Sequence, residues 1–263
     1  MSVQIHQTAV VEGGVELDAD VEIGPYAVIY DGVKLAAETT VGAHAVITGQ
    51  THIGPNCTIA PHAVIGTPPQ DKKYAGERTE LHIGADNIIR EFATINPGTA
   101  AGGGQTIIGD RNLLMAYVHV AHDCRIANDT VLANGAQLAG HAELQDHVTI
   151  GGMSGVHQFV RVGRCAMVGG GSMVTQDVPP YCVAAGNRAK LSGINSIGLR
   201  RNGFDKDALA RLRACFRTLF RQGMPLPQAL AQASEYSDDP HIAAMLAFIR
   251  ESERGVMRAD RHA

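Results

Sequence analysis

Val41-Gly42-Ala43-His44-Ala45-Val46-Ile47-Thr48-Gly49-Gln50-Thr51-His52-Ile53-Gly54 places an aliphatic side chain at every sixth position, on Val41, Ile47 and Ile53. The same step reaches back through Leu35, Ile29, Ile23, Leu17 and Val11 to Ile5, and forward to Ile59 and Ile65. It is interrupted from Thr67 to Leu81, resumes at Ile83, Ile89 and Ile95, and is interrupted again from Asn96 to Gln105. A final run goes from Ile108 through Leu114, Val120, Ile126, Leu132, Leu138, Leu144, Ile150, Val156, Val162 and Val168 to Val174. All 26 steps land on Val, Ile or Leu. Independent positions would give such a run with a probability on the order of 10⁻⁹, so the period decides the architecture.

Two residues before each sixth position the chain carries a small side chain, as at Ala27, Thr39, Ala45, Cys57, Ala63, Cys124, Ala136, Ala142 and Ala166. Positions two apart share a strand face, so both are expected to point inward. Glycine often follows the aliphatic residue, as at Gly24, Gly42, Gly54, Gly66, Gly84, Gly109, Gly151, Gly163 and Gly169, where a corner is expected to need a permissive backbone. Each hexad therefore reads as a short strand and a turn. In this pattern the sequence resembles the hexapeptide-repeat acyltransferases. That resemblance implies a mainly β fold, a left-handed parallel β-helix with three hexads per coil. About nine coils stacked at roughly 4.8 Å make a prism about 40 Å long. The two interruptions become loops thrown out of its wall.

Composition fits thin repeated layers. The 263 residues are 45% hydrophobic and 18% charged, as in an ordinary folded protein, but only 5% aromatic with no Trp, so the core is aliphatic. The start, Met1-Ser2-Val3-Gln4-Ile5-His6, has neither the basic nor the apolar run of a secretory signal, and no stretch approaches membrane-spanning length. Cys57, Cys124, Cys165, Cys182 and Cys215 are scattered and odd in number. They read as reduced core residues of a cytoplasmic protein.

The period fades after Val174. Phe204, Leu209, Leu212, Phe216, Leu219 and Phe220 follow helical spacing after Asp205, with Gly223 as a stop. Pro227 can open a second helix, and Asp239-Pro240 a third that ends near Gly255. The expected division is a β-helix over 1–190 and a C-terminal α-helical domain over 191–263. From Arg188 onward 13 Lys and Arg stand against 8 Asp and Glu, a net +5, which leaves −9 for the preceding residues. Such a basic end is either solubilising helix charge or a docking surface for an acidic partner.

The polar residues with most chemical content are His119-Val120-Ala121-His122-Asp123-Cys124, Gly140-His141 and His157-Gln158. With an 18-residue coil, His122, Gly140 and Gln158 stack in one column, and His141 and His157 fall one residue to either side. A histidine is suited to take a proton from a hydroxyl that attacks a thioester, which makes His122 the candidate base. The Gly140 N–H is a candidate donor to the developing oxyanion. Asp123 can orient the imidazole only from a corner conformation, because strand neighbours face opposite ways. Surface turn histidines are the plainer alternative. A zinc site of His119, His122 and His141, as in trimeric carbonic anhydrases on the same type of β-helix, is another.

Asn112-Leu113-Leu114-Met115, Ala121-His122-Asp123-Cys124, Leu138-Ala139-Gly140-His141, Val156-His157-Gln158-Phe159 and Gln176-Asp177-Val178-Pro179-Pro180-Tyr181 resemble the UDP-N-acetylglucosamine O-acyltransferases of lipid A biosynthesis, over nearly the whole chain. The resemblance implies transfer of a 3-hydroxyacyl group from acyl carrier protein to the sugar 3-hydroxyl, in a homotrimer, with no metal or redox cofactor and no nucleic acid. It makes His122 the general base, Asp123 its partner and Gly140 the oxyanion donor. Asp71, Lys73, His119, His141, His157 and Gln158 would surround the sugar, phosphate and acyl chain. Asn195 and Arg201 would lie near the nucleotide, and Gly170 would end the acyl groove, with Arg188 as an alternative end. Three positions depart from the family pattern: Asn96 stands where His is common, and Ile197 and Asn202 replace polar or basic residues. The Gly102-Gly103-Gly104 run reads as flexible loop. The later N-acyltransferase of the same pathway is disfavoured by a repeat that starts at Ile5. A β-helical scaffold without catalysis is disfavoured by the intact His122 block.

Overall fold

A computed structural model describes residues 2–259. From Gln4–Ile5 to Met173–Val174 the chain forms 26 short strands, and each ends on one of the sixth-position aliphatic residues. Successive strands enter three parallel sheets in rotation. Gln4 pairs with Glu22, Glu22 with Thr40 and Thr40 with Thr58, so one coil takes three hexads. The first sheet begins with the Ile5 strand, the second with the Val11 strand and the third with the Leu17 strand.

From Ile23 onward every sixth-position aliphatic is buried, and so are the small residues two before, including Ala27, Thr39, Ala45, Cys57, Cys124 and Ala166. Both inward positions are therefore filled as the spacing required. Ile5 is exposed because the first coil has a neighbour on one side only.

Most of the corner glycines do a different job from the expected one, although Gly66, with φ 82°, is itself left-handed. The left-handed conformation falls two residues later, on Tyr26, His44, His62, Phe92, Tyr117, Asp123, His141 and Phe159, with φ between 58° and 63°. Left-handed backbone costs a non-glycine residue about 1 kcal/mol or more. At the edge between the first and second sheets, ring stacking works against that cost. Tyr26, His44, His62, Phe92 and Tyr117 form a ladder with centroids 4.9–5.0 Å apart. Gly54 is needed instead for close approach. A Cβ there would lie 2.6 Å from the Gly84 carbonyl carbon and 2.7 Å from its oxygen, on the next coil.

Both interruptions leave the prism at one edge. The first departs after Ile65 in the second sheet and re-enters the third at Glu80; the second departs after Ile95 and re-enters at Gln105. Leu81 and Gln105, expected inside the interruptions, are already strand residues, because Glu80–Ile83 and Gln105–Ile108 pair over four residues.

Past Val174 a hairpin that the periodicity did not signal, Cys182–Ala185 with Lys190–Ile194, pairs antiparallel and extends the first sheet. It runs across the expected division at 190. Four helices follow: α1 Ser196–Arg201, α2 Lys206–Phe220, α3 Leu226–Ala233 and α4 Pro240–Arg250. Helix α1 was not expected. Asp205 caps α2, accepting from the Ala208 N–H at 2.7 Å, and Leu209, Leu212, Phe216 and Leu219 are buried. Pro227 lies in the first turn of α3, and Asp239 caps α4. Helix α4 stops at Arg250 rather than near Gly255, because the following residues turn back onto the coil, where Val256 bridges to Asp177. Among the described residues no helix is long and apolar enough to cross a membrane.

Gly54→Ala is expected to lower the melting midpoint, at a cost of about 1–3 kcal/mol, since backbone rather than a mobile side chain meets the new methyl. A thermal melt that matches wild type would show that the coils separate freely there.

Candidate active site

Both loops overhang the edge between the second and third sheets, and the polar column lies directly below. His119 pairs with Gln137 and Gln137 with Gly155, so His122, Gly140 and Gln158 stack three residues further along. The His141 N–H donates to the His122 carbonyl at 3.0 Å, and the Phe159 N–H to the Gly140 carbonyl at 3.2 Å. A Cβ on Gly140 would lie 2.6 Å from His122 Cε1 and 2.7 Å from Nε2, so only glycine leaves the imidazole its place. The Gly140 N–H has no partner among the described residues.

Asp123 has the corner conformation that lets neighbouring side chains meet, with φ 61°. His122 Nδ1 is 2.7 Å from Asp123 Oδ2. A carboxylate only accepts, so Nδ1 carries the hydrogen and Nε2 is left as the basic nitrogen. Asp123 is buried and held from three directions. Its Oδ1 accepts from the Thr99 N–H at 2.8 Å, its Oδ2 from the Thr99 hydroxyl at 2.7 Å, and its own N–H donates to Thr106 Oγ1 at 2.8 Å. Those bonds offset the cost of burying the charge.

Thr99 comes from the second interruption, and the glycine run beside it is not slack. Ala100–Gly102 form a 3-10 turn capped by Thr99. A side chain on Gly102 would collide with the Asp123 carboxylate, so this glycine admits the loop to the carboxylate. Thr99 and Thr106 were not foreseen. Their only sequence signal is an interruption at the edge that later carries His122, visible once strands are assigned to sheets.

His141 stacks on Phe159, with centroids 4.4 Å apart, and its Nε2 lies 3.6 Å from Asp123 Oδ2. His119, on the second sheet's outer face, shares a 2.7 Å hydrogen bond with Thr94 Oγ1. His157 and Gln158 are exposed on the next coil, and His157 meets Arg254 of the C-terminal segment. Asp71 and Lys73 lie in the first loop, where the Lys73 N–H donates to Asp71 Oδ1 at 3.0 Å, and the Asp71 charge reaches His141. Asn96 is buried at the loop base and donates to the Thr67 carbonyl at 2.9 Å.

The remaining expected residues do not join this cluster within one chain. Gly170 is exposed at the edge between the first and second sheets, one coil beyond Gly152. Arg188 lies in the hairpin turn, whose Gly186 carbonyl and Ala189 N–H bond the Met173 backbone. Asn195 is buried at the edge between the third and first sheets. Its amide donates to the Cys165 carbonyl at 3.0 Å and its oxygen caps α1, accepting from Gly198. Arg201 ends that helix, Ile197 is exposed on it, and Asn202 bonds back to the Gly198 carbonyl at 3.0 Å.

Among the described residues, the set able to hold a metal ion is His122, Asp123 and His141, with ligand atoms all within 4.8 Å of one another. It differs from the histidine trio weighed from the sequence in that Asp123 stands in place of His119, whose Nδ1 pairs with Thr94 Oγ1. In this set Asp123 Oδ2 already accepts from both His122 and Thr99.

Burial is the main cause that lowers the pKa of both His119 and His141 below the ordinary histidine value, with charge on His122 adding to it; Asp123 and Asp71 oppose the shift in His141. The unfolded chain therefore takes up these protons first as pH falls. Stability is full above the ordinary histidine pKa and is lost on acidification through it. The melting midpoint is expected to fall between about pH 7 and about pH 5.5, with a shallower slope for His119→Gln. An unaltered slope in that variant would remove His119 from the account.

Known proteins match this chain over nearly its whole length. Residues 177–257 fit the family model described as UDP N-acetylglucosamine O-acyltransferase, domain 2, and residues 14–49, 32–67 and 105–140 fit the bacterial transferase hexapeptide model of six repeats. The acyl-[acyl-carrier-protein]–UDP-N-acetylglucosamine O-acyltransferase of Paraburkholderia phymatum is 50% identical over 261 residues, covering 97% of this chain and 99% of that protein. Its counterpart from Burkholderia orbicola is 48% identical over 260 residues, with coverage of 97% and 99%. The solved UDP-N-acetylglucosamine acyltransferase from Campylobacter jejuni superposes with a TM-score of 0.92 at 42% identity, over 98% of this chain and 100% of that one. LpxA from Acinetobacter baumannii gives 0.93 at 40%, over 97% and 99%. By its repeats, its helical end and its full-length kinship, the chain belongs to the UDP-N-acetylglucosamine O-acyltransferase family, built on a left-handed parallel β-helix.

Proposed function

We propose that this protein transfers a 3-hydroxyacyl group from acyl carrier protein to the 3-hydroxyl of UDP-N-acetylglucosamine; its relatives are named as acyl-[acyl-carrier-protein]–UDP-N-acetylglucosamine O-acyltransferases. The observation that carries the reading is the Thr99–Asp123–His122 chain of hydrogen bonds, with the Gly140 N–H, unpartnered among the described residues, beside the imidazole. His122 Nε2 removes the hydroxyl proton while that oxygen attacks the thioester carbonyl. Asp123 keeps the imidazole in the reactive tautomer and stabilises the imidazolium that forms. The Gly140 N–H donates to the oxyanion of the tetrahedral intermediate. As the intermediate collapses, the carbon–sulfur bond breaks and the carrier thiolate takes the proton back from His122.

The distribution of the expected site residues supports a homotrimer. His122, His141 and Gln158 occupy one edge of the prism, Gly170 a second and Asn195 a third. One chain does not bring Asn195 to the His122 edge, whereas a closed threefold arrangement sets different edges of neighbouring copies against each other. The basic C-terminal surplus fits an acidic carrier, although Arg211 is tied to Asp239 at 2.6 Å and contributes less than its sequence suggests. Five buried free cysteines suit a reducing cytoplasm.

His122→Ala is expected to lower kcat by about 10²–10⁴ while leaving the thermal melt intact, and a chelator is expected to change nothing. Activity lost to the chelator and restored by zinc would shift the chemistry to the His122–Asp123–His141 set.

The acyl groove is assigned to the outer face of the second sheet, along His119, Gln137, Gly155 and Met173, toward Gly170. A Cβ on Gly170 would sit 3.4 Å from the Gly152 carbonyl oxygen, so a larger residue is tolerated there. Gly170→Met is expected to deny burial to about four methylenes, roughly 3 kcal/mol, and to move preference from a hydroxymyristoyl toward a hydroxydecanoyl donor by on the order of 10²-fold. The ratio of kcat/KM for the two donors checks this; an unchanged ratio would end the groove elsewhere, as at Arg188.

A further inference from the structure

The segment after α4 returns to the polar edge and is locked there by one buried carboxylate. Asp177 is fully buried; its Oδ1 accepts from the Arg161 N–H at 2.9 Å and its Oδ2 from the Ser252 hydroxyl at 2.7 Å. Its backbone bonds the same segment twice, accepting from the Met257 N–H at 2.9 Å and donating to the Gly255 carbonyl at 3.0 Å. Between those anchors Arg254 reaches back to the coil. Its Nε donates to the Thr175 carbonyl at 3.0 Å, and its Nη2 lies 2.8 Å from His157 Nδ1.

A guanidinium has no acceptor, so His157 Nδ1 must accept and the ring hydrogen must sit on Nε2. The other geometry available to Nδ1, donation to the Gln158 carbonyl at 3.3 Å, is longer and incompatible with the arginine. His157 Nε2 has no partner among the described residues, and the adjoining Gln158 stacks on Gly140.

We propose that Arg254 is a positioning residue of the active site: it fixes the tautomer and orientation of His157 so that the Nε2–H donates to an acceptor oxygen of the bound substrate. The inference rests on the reading of His157 as substrate-facing. It gives the C-terminal segment a part in the reaction separate from carrier docking. Lysine cannot replace the arginine, because one ammonium does not span both the Thr175 carbonyl and the imidazole with a planar fork.

The test is a double-mutant cycle on full-length protein, with kcat/KM measured for wild type, Arg254→Gln, His157→Gln and the double variant. Arg254→Gln is expected to lose about tenfold in the presence of His157 and less than about twofold in its absence. Equal losses in both backgrounds, or no loss, overturn the proposal while leaving His157 a substrate contact. A His157→Gln variant with wild-type kinetics overturns that contact and the proposal with it. Imidazole ¹⁵N spectra of the wild-type protein give a readout that does not depend on a variant folding. The Nε2–H tautomer is expected at His157, and an Nδ1–H signal overturns the assignment.

Discussion

The backbone ladder between coils is the constraint on which the rest depends. Each coil bonds the next in a fixed register, from the Gln4 N–H to the Val21 carbonyl at 2.9 Å through to the His157 N–H and the Val174 carbonyl at 2.9 Å. Because the register does not slip, residues three hexads apart sit one ladder spacing apart, about 4.8 Å. A site is therefore written down the sequence with one residue per coil. His122 faces Gly140 for the same reason that Tyr26 stacks on His44. The ladder also decides which corner positions tolerate side chains. The aliphatic residue and its small neighbour fill the inside, and many left-handed corner residues, such as Tyr26, Phe92 and Tyr117, are exposed.

A rigid wall makes a good support but a poor enclosure. On its own, the regular corner would leave Asp123 in water with one neighbour. The second interruption changes that, since Thr99 supplies two donors, Thr106 accepts from the aspartate backbone, and Gly102 leaves room for the carboxylate. Burial makes those bonds matter, because a charged carboxylate removed from solvent is costly unless hydrogen bonds replace the lost water. The loop acts chiefly by what it does to the electrostatics of Asp123.

The two loops and the returning C-terminal segment converge on the same edge. Each can do so because the prism is uniform, and a departure from it is tolerated wherever the chain leaves one sheet and rejoins the next without disturbing the ladder. Pairing of Glu80–Ile83 with Gln105–Ile108 shows the ladder restored after both departures. Asp177 plays the matching part at the far end, where it joins the last coil to Ser252, Gly255 and Met257.

The sequence by itself determined the coil. Six-residue periodicity reports burial directly, since the same two positions of every hexad face inward, and the ladder converts spacing into stacking without further information. His122, Gly140 and Gln158 were legible as one column for that reason, and so were the caps Asp205 and Asp239, which act within a single turn of their own helices. Periodicity does not report which edge a loop overhangs, or which distant segment returns to it. Thr99 on Asp123 and Arg254 on His157 join residues 24 and 97 apart, neither a multiple of the coil, and the hairpin after Val174 runs against the parallel order. Most corner glycines, Gly66 excepted, were misread because sequence records the residue but not its φ, and it is the approach of the next coil's backbone that requires a missing side chain at Gly54. Such contacts depend on chain paths outside the repeat, which only the tertiary structure decides.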